Sequence, residues 1–117
     1  MRLLIACATS ACLWPVAAGA AEPMPPKDIQ SGFFNGQPFT AATPSNVQFR
    51  MVATPDGKIT REPVGKAGAK GEGTWKLTKD GFCTSWSGAK SNCFRLIASG
   101  GKWSVMAGST LVAIWTK

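Results

Sequence analysis

Residues 73–96, GTWKLTKDGFCTSWSGAKSNCFRL, decide the fold of this chain. The stretch reads as three strands separated by turns at Lys79–Gly81 and Ser87–Ala89, and it contains Cys83 and Cys93. In an oxidising compartment such an isolated pair of cysteines is most simply a disulfide. Because the loop between them is short, chain-entropy arithmetic gives this bond about 2 to 3 kcal/mol of stabilisation.

The two cysteines also predict the register of a hairpin. If Cys83 faces Cys93, three residues, Ser87–Ala89, remain as the loop, a length common in hairpins that use a glycine. Side-chain alternation then puts Trp86 on the face opposite the cysteines. The other aromatic residues share that face, which we expect to be the core. The register pairs Phe82 with Phe94 and Trp86 with Lys90.

The first part of the chain, residues 1–20, has the composition of a cleaved export signal. Arg2 precedes the apolar run Leu3–Val16, and small residues follow it up to Ala20. The run is shorter than the roughly 20 apolar residues of a transmembrane helix. We therefore expect cleavage at Ala20 or Ala21, a periplasmic or secreted protein, and no transmembrane helix in the mature chain.

The mature chain of about 97 residues suits a single domain. Residues 21–28 are rich in proline and predict an extended arm that tethers or projects rather than packs. Residues 29–117 then form one β domain. It is preceded or begun by one possible short helix over Lys27–Phe34, which Asn35–Gly36 ends.

Beyond Gly36 the pattern is that of an all-β fold. Apolar residues alternate with polar ones over residues 47–53, Pro55–Gly57 forms a turn, and Lys58–Val64 returns as a more polar strand. Seven or eight short antiparallel strands in a meander would leave apolar edges unless they close. We therefore expect a small up-and-down barrel, with a two-sheet sandwich as the alternative.

Catalytic and metal chemistry have little support in this sequence. It contains no histidine, so a Ser-His-Asp centre is excluded, and two cysteines alone do not complete a tetrahedral metal site. Glu62 and Glu72 flank a glycine-rich loop and could form an acid/base pair, although exposed strand carboxylates are far commoner. We expect no enzyme activity, no cofactor and no metal.

Charge and tryptophans supply the candidate binding residues. Removing the signal removes Arg2 and leaves 12 Lys plus Arg against 6 Asp plus Glu, a net charge of +6. Such a charge favours anionic polymers, although the lysines are scattered and no specific nucleic-acid motif is present. Trp75 and Trp103 are expected in the core, whereas the pattern leaves the burial of Trp86 and Trp115 open. The candidate binding residues are Trp86, Lys90, Lys66, Lys70, Arg95 and Trp115.

The order Gly-x-Trp, Asp-Gly-x-Cys-x-x-Trp and Cys-Phe resembles a class of small exported bacterial β-domains of unknown function. It is carried by Gly73, Trp75, Asp80, Gly81, Cys83, Trp86, Cys93 and Phe94. The C-terminal half is more distantly similar to small secreted barrels that inhibit bacterial metalloproteases. Those proteins present an extended N-terminal segment to the enzyme, and here Ala21–Pro26 would correspond to it.

These observations predict a non-catalytic exported module that binds or inhibits another envelope or secreted macromolecule. Its partner would be an envelope protein or an anionic polymer. Two alternatives stay open, namely a barrel that binds a small ligand or glycan and a structural component of the envelope.

Overall fold

The computed structural model describes residues 22–117. The predicted export signal, residues 1–20, lies outside the described residues. Between residues 22 and 117, no helix is both long and apolar enough to cross a membrane. This part of the chain contains the helix α1 (Pro26–Gly32) and the strands β1 (Phe39–Ala42), β2 (Gln48–Thr54), β3 (Lys58–Pro63), β4 (Gly71–Leu77), β5 (Phe82–Trp86), β6 (Ser91–Ser99), β7 (Lys102–Ala107) and β8 (Thr110–Thr116).

The strands form one closed barrel in chain order. Each strand is antiparallel to its neighbours, and β1 closes the barrel by pairing with β8, where Thr40 lies opposite Thr116. The predicted up-and-down barrel is therefore confirmed, and the two-sheet sandwich is excluded. Closure satisfies the backbone groups that an open meander would expose at its edges.

The predicted register of the β5–β6 hairpin is confirmed. Cys83 lies opposite Cys93 and forms a disulfide with it, and the aromatic pair beside them also faces as predicted. The strand pairing ends at Ser85 opposite Ser91, one pair before the predicted Trp86–Lys90 pair. Beyond that point the N–H of Ala89 donates to the carbonyl of Trp86 at 2.9 Å, which closes the loop.

β1 is the strand that the sequence pattern did not single out. It has four residues, of which only Phe39 is large and apolar, so the alternation is too short to stand out. Phe39 and Ala41 nevertheless point into the core and are buried. The strand is stabilised by its two neighbours rather than by its own composition.

The helix α1 and the residues after it close one end of the barrel, which we call the closed end. Seven residues are too few for a stable isolated helix, so α1 depends on packing. Ile29, Phe33 and Phe34 are almost completely buried. The Phe33 ring centroid lies 5.0 Å from that of Trp103, and that of Phe34 lies 4.6 Å from that of Trp75. The predicted helix over Lys27–Phe34 is confirmed, but it begins one residue earlier, at Pro26, and ends two residues earlier, at Gly32.

The prediction of a projecting arm over residues 21–28 is wrong for the part that follows Glu22. Pro23 forms an isolated bridge with Ile97 of β6, beyond the point where the β5–β6 pairing ends at Phe82 and Phe94, and the N–H of Met24 donates to the carbonyl of Leu96 at 2.7 Å. Met24 also packs against the core cluster, and Pro26 already belongs to α1. The prolines remove backbone donors, but Met24 retains one and uses it to dock the segment.

Candidate functional site

The end of the barrel opposite α1, which we call the open end, is not filled by a helix. It is formed by four connections between strands, at residues 43–47, 64–70, 87–90 and 108–109. Inside it lies a cavity of about 200 Å³. The Phe82 and Trp115 rings have centroids 5.2 Å apart. They separate this cavity from the buried Phe33 and Phe34 side chains at the closed end.

The lining of the cavity is mostly apolar because strand alternation directs one face of every strand inward. It includes Ala41, Met51, Ile59, Phe94, Val105 and Val112. Thr84 is a buried polar residue in this wall. Such a space excludes large or strongly polar molecules but can take a small apolar group.

Arg61 is the charged residue of this cavity. β3 alternates, so Arg61 shares the inward face with Ile59, two residues before it. Its guanidinium carbon lies 4.5 Å from the ring centroid of Trp86 and 5.5 Å from that of Phe49, distances typical of cation–π contacts. Arg61 is half-buried and stands between two aromatic faces.

The guanidinium of Arg61 carries an unsatisfied donor. Its Nε is buried and has no hydrogen-bond partner, the only such side-chain nitrogen or oxygen atom among residues 22–117. The one ion pair in that part of the chain joins Lys70 to Glu62 at 3.8 Å and does not involve Arg61. A buried donor without a partner costs about 1 to 3 kcal/mol, so it calls for a functional explanation.

Two glycines let the β3–β4 connection lie close to Arg61. Gly68 has φ +93°, and a Cβ built on it would lie 2.8 Å from the Phe49 ring, so the loop covers this ring at the cavity mouth. A Cβ on Gly71 would lie 2.8 Å from Nε of Arg61. The glycine-rich loop predicted at residues 65–71 is therefore a cover on the open end, although Gly71 itself begins β4.

Arg61 and Trp86 also line a second space, on the outer wall of the barrel. This depression of about 700 Å³ is bordered by outward-facing side chains such as Arg50, Lys70 and Glu72. It is larger than the interior cavity, but it is open to solvent and bordered by charged side chains. Because Arg61 and Trp86 belong to both spaces, they form the boundary between the interior and the solvent.

Five of the six predicted binding residues lie towards the open end. Trp86 and Lys90 flank the β5–β6 connection, and Lys66 and Lys70 belong to the covering loop. Nη2 of Arg95 donates to the carbonyl of Gly108 at 2.6 Å, so Arg95 holds the β7–β8 turn. The structure thus brings residues that are scattered in sequence to one end of the barrel.

Trp115, the sixth candidate binding residue, is buried and cannot act as an exposed platform. Its exposed fraction is 4 % because β8 places it inside the barrel against Phe82 and Phe39. Trp115 forms the floor of the cavity rather than a surface platform. Trp75 and Trp103 pack against the core as predicted.

The distribution of acids separates the two ends. The three aspartates lie at the closed end, in α1 and in the β2–β3 and β4–β5 turns. There the hydroxyl of Thr54 donates to the carboxylate of Asp56 and lowers the pKa of that carboxyl below its ordinary value. At the open end Glu62 is paired with Lys70. Lys66 and Lys90 are exposed at the open end, and with Arg61 and Lys70 they outnumber Glu62 and Glu72, so this end is basic.

The structure does not place Glu62 and Glu72, the suggested acid/base pair, in an enclosed site. Both are exposed on the outer wall, and Glu72 faces Thr60, which places the glutamates two positions apart on neighbouring strands. Within residues 22–117, histidine, cysteine and acidic side chains do not gather in a group that could hold a metal ion.

Sequence reasoning missed Arg61, the charged residue at the boundary of the cavity. The segment from Lys58 to Val64 was interpreted only as a polar strand. The available signal was the spacing of Ile59 and Arg61, which puts an arginine on the core face of a strand.

A scan against protein-family models, a search of curated proteins and a search of solved structures each gave no match.

Proposed function

We propose that this protein is a non-catalytic, exported binding protein that holds a small apolar ligand in the open-end cavity. The observation that carries the proposal is the cavity of about 200 Å³ between the Phe82–Trp115 floor and the Arg61–Trp86 boundary. An engineered apolar cavity of about 150 Å³ binds benzene, whereas sites for drug-sized ligands have about 300 to 1,000 Å³. The ligand groups that fit this cavity are therefore a single ring or a short alkyl chain.

Titration of the mature protein with toluene and octan-1-ol tests this function, with tryptophan fluorescence as the readout. Trp86 and Trp115 line the cavity, so occupancy should change their emission. We expect saturable binding of at least one probe. Ala41→Leu, which adds volume to the buried wall, should weaken that binding at least tenfold.

Ala98→Leu is the matched control, because Ala98 is exposed near the β6–β7 turn at the closed end and does not line the cavity. It should bind like the wild type. Absence of saturable binding by the wild-type protein would refute the proposed function. Equal binding by both variants would show that the probes bind elsewhere.

The basic open end supports a second candidate, a module that binds another envelope macromolecule through Lys66 and Lys90. The version that uses an N-terminal arm has less support, because Pro23 and Met24 are docked on β6. The two functions separate by salt: retention on an anionic matrix should collapse at moderate salt, whereas binding of an uncharged probe should not.

A further inference from the structure

We propose that the ligand of the open-end cavity is an amphipathic carboxylic acid whose carboxylate is held by the guanidinium of Arg61. This inference rests on the proposed function and narrows it to one chemical class. The tail would occupy the apolar cavity, and the head group would meet Arg61 at the boundary with the outer depression.

The orientation of Arg61 provides the first argument. The guanidinium lies within cation–π distance of Trp86 and Phe49, and its Nε lacks a hydrogen-bond partner. Arginine binds carboxylates through parallel N–H donors on one edge of the fork. Nε is shielded by Gly71 in this structure, so a carboxylate bound to the guanidinium fork would satisfy this donor once Arg61 moves away from Gly71. An alcohol or a hydrocarbon would satisfy the guanidinium incompletely or not at all.

The charge around the mouth provides the second argument. Among residues 22–117, the one ion pair joins Glu62 to Lys70. Arg61 has no carboxylate within ion-pair distance in the same part of the chain. The exposed Lys66 and Lys90 add positive charge at the same end, where together with Arg61 and Lys70 they outnumber the two glutamates, Glu62 and Glu72. This field favours the entry of an anion over a neutral or cationic molecule of the same size.

The cavity limits the tail. A volume of about 200 Å³ lies only moderately above the about 150 Å³ that admits benzene. Two sources of the same chemistry fit, a short aliphatic acid and a small aromatic acid. A long-chain lipid does not fit, because each further methylene would need space that the Phe82–Trp115 floor closes.

The test compares matched acids and alcohols: octanoate with octan-1-ol, and 3-phenylpropanoate with 3-phenylpropan-1-ol. Binding is followed by tryptophan fluorescence and by calorimetry at low salt and neutral pH. In the wild type we expect at least one acid to bind tenfold or more tightly than its alcohol. The better of the two acids identifies the aliphatic or aromatic tail.

Two arginine variants assign the preference. Arg61→Gln should reduce the acid-to-alcohol ratio to near one while alcohol binding changes less than about threefold. Arg50→Gln is the control, because Arg50 is exposed on the outer face of β2 and lines only the outer depression. It should keep the wild-type ratio.

The comparison of acids with alcohols uses the wild-type protein, so it does not depend on whether a variant folds. Alcohols that bind as tightly as their acids would overturn the carboxylate proposal and leave the proposed function intact, whereas no binding of any probe would overturn both. An Arg50→Gln effect as large as that of Arg61→Gln would also overturn the proposal, because it would assign the preference to general charge.

Discussion

At the scale of single residues, the site depends on the contact between Arg61 and a glycine of the next strand. Gly71 lies opposite Arg61 in the β3–β4 register, and a Cβ there would lie 2.8 Å from Nε and 3.4 Å from Cγ. The Nε contact is too short for a real Cβ, so the guanidinium end of the arginine would have to move. The missing side chain at position 71 therefore helps to hold the guanidinium against Trp86.

Gly71→Ala should displace Arg61 from the indole while the barrel stays folded. The measurement is the NMR chemical shift of the Arg61 Nε proton, which the rings of Trp86 and Phe49 should shift in the wild type. We expect it to return towards the ordinary arginine value, with a stability change of less than about 1 kcal/mol. Gly65→Ala is the control, since no atom lies within 4 Å of its added Cβ. A shift that is unchanged in Gly71→Ala would contradict this role.

At the scale of elements, the β5–β6 hairpin could be predicted almost completely because its constraints are local. Two cysteines fixed the register, a glycine-containing loop fixed the turn, and alternation then assigned Phe82 and Trp86 to the inside. β1 and the docking of Met24 could not be predicted in the same way. Both depend on partners distant in the chain, β8 and β6, and neither has a pattern of its own.

The disulfide of this hairpin should contribute measurably to stability. In Cys83→Ser, Cys93→Ser, loss of the short closed loop should cost about 2 to 3 kcal/mol. For a domain of this size that lowers the Tm by about 10 °C, measured by circular dichroism. The control is Ser85→Ala, Ser91→Ala, the neighbouring cross-strand pair. It should melt close to the wild type, and an equal Tm for all three proteins would refute the structural role of the disulfide.

At the scale of the whole molecule, the two ends of the barrel have different contents. The closed end is filled by α1 and an aromatic cluster, whereas the open end keeps a cavity behind Arg61. The barrel itself was predictable from many short strands that needed closure. The difference between its ends was not predictable. It arises because Phe33 and Phe34 insert into one end, and the alternation of residues in the strands contains no information about that insertion. Arg61 was missed for the same reason: its importance comes from what surrounds it in the closed barrel.

This division predicts that stability resides at the closed end. Phe34 is fully buried and contacts Trp75, Phe82 and Trp115. Phe34→Ala should cost about 3 to 5 kcal/mol, a large share of the about 5 to 15 kcal/mol that stabilises a domain. Val64→Ala, also an apolar truncation but at a side chain that is 60 % exposed, should change stability by no more than about 0.5 kcal/mol. Urea denaturation measures both. If Phe34→Ala unfolded like Val64→Ala, the segment that follows α1 would not be what fills the closed end of the barrel.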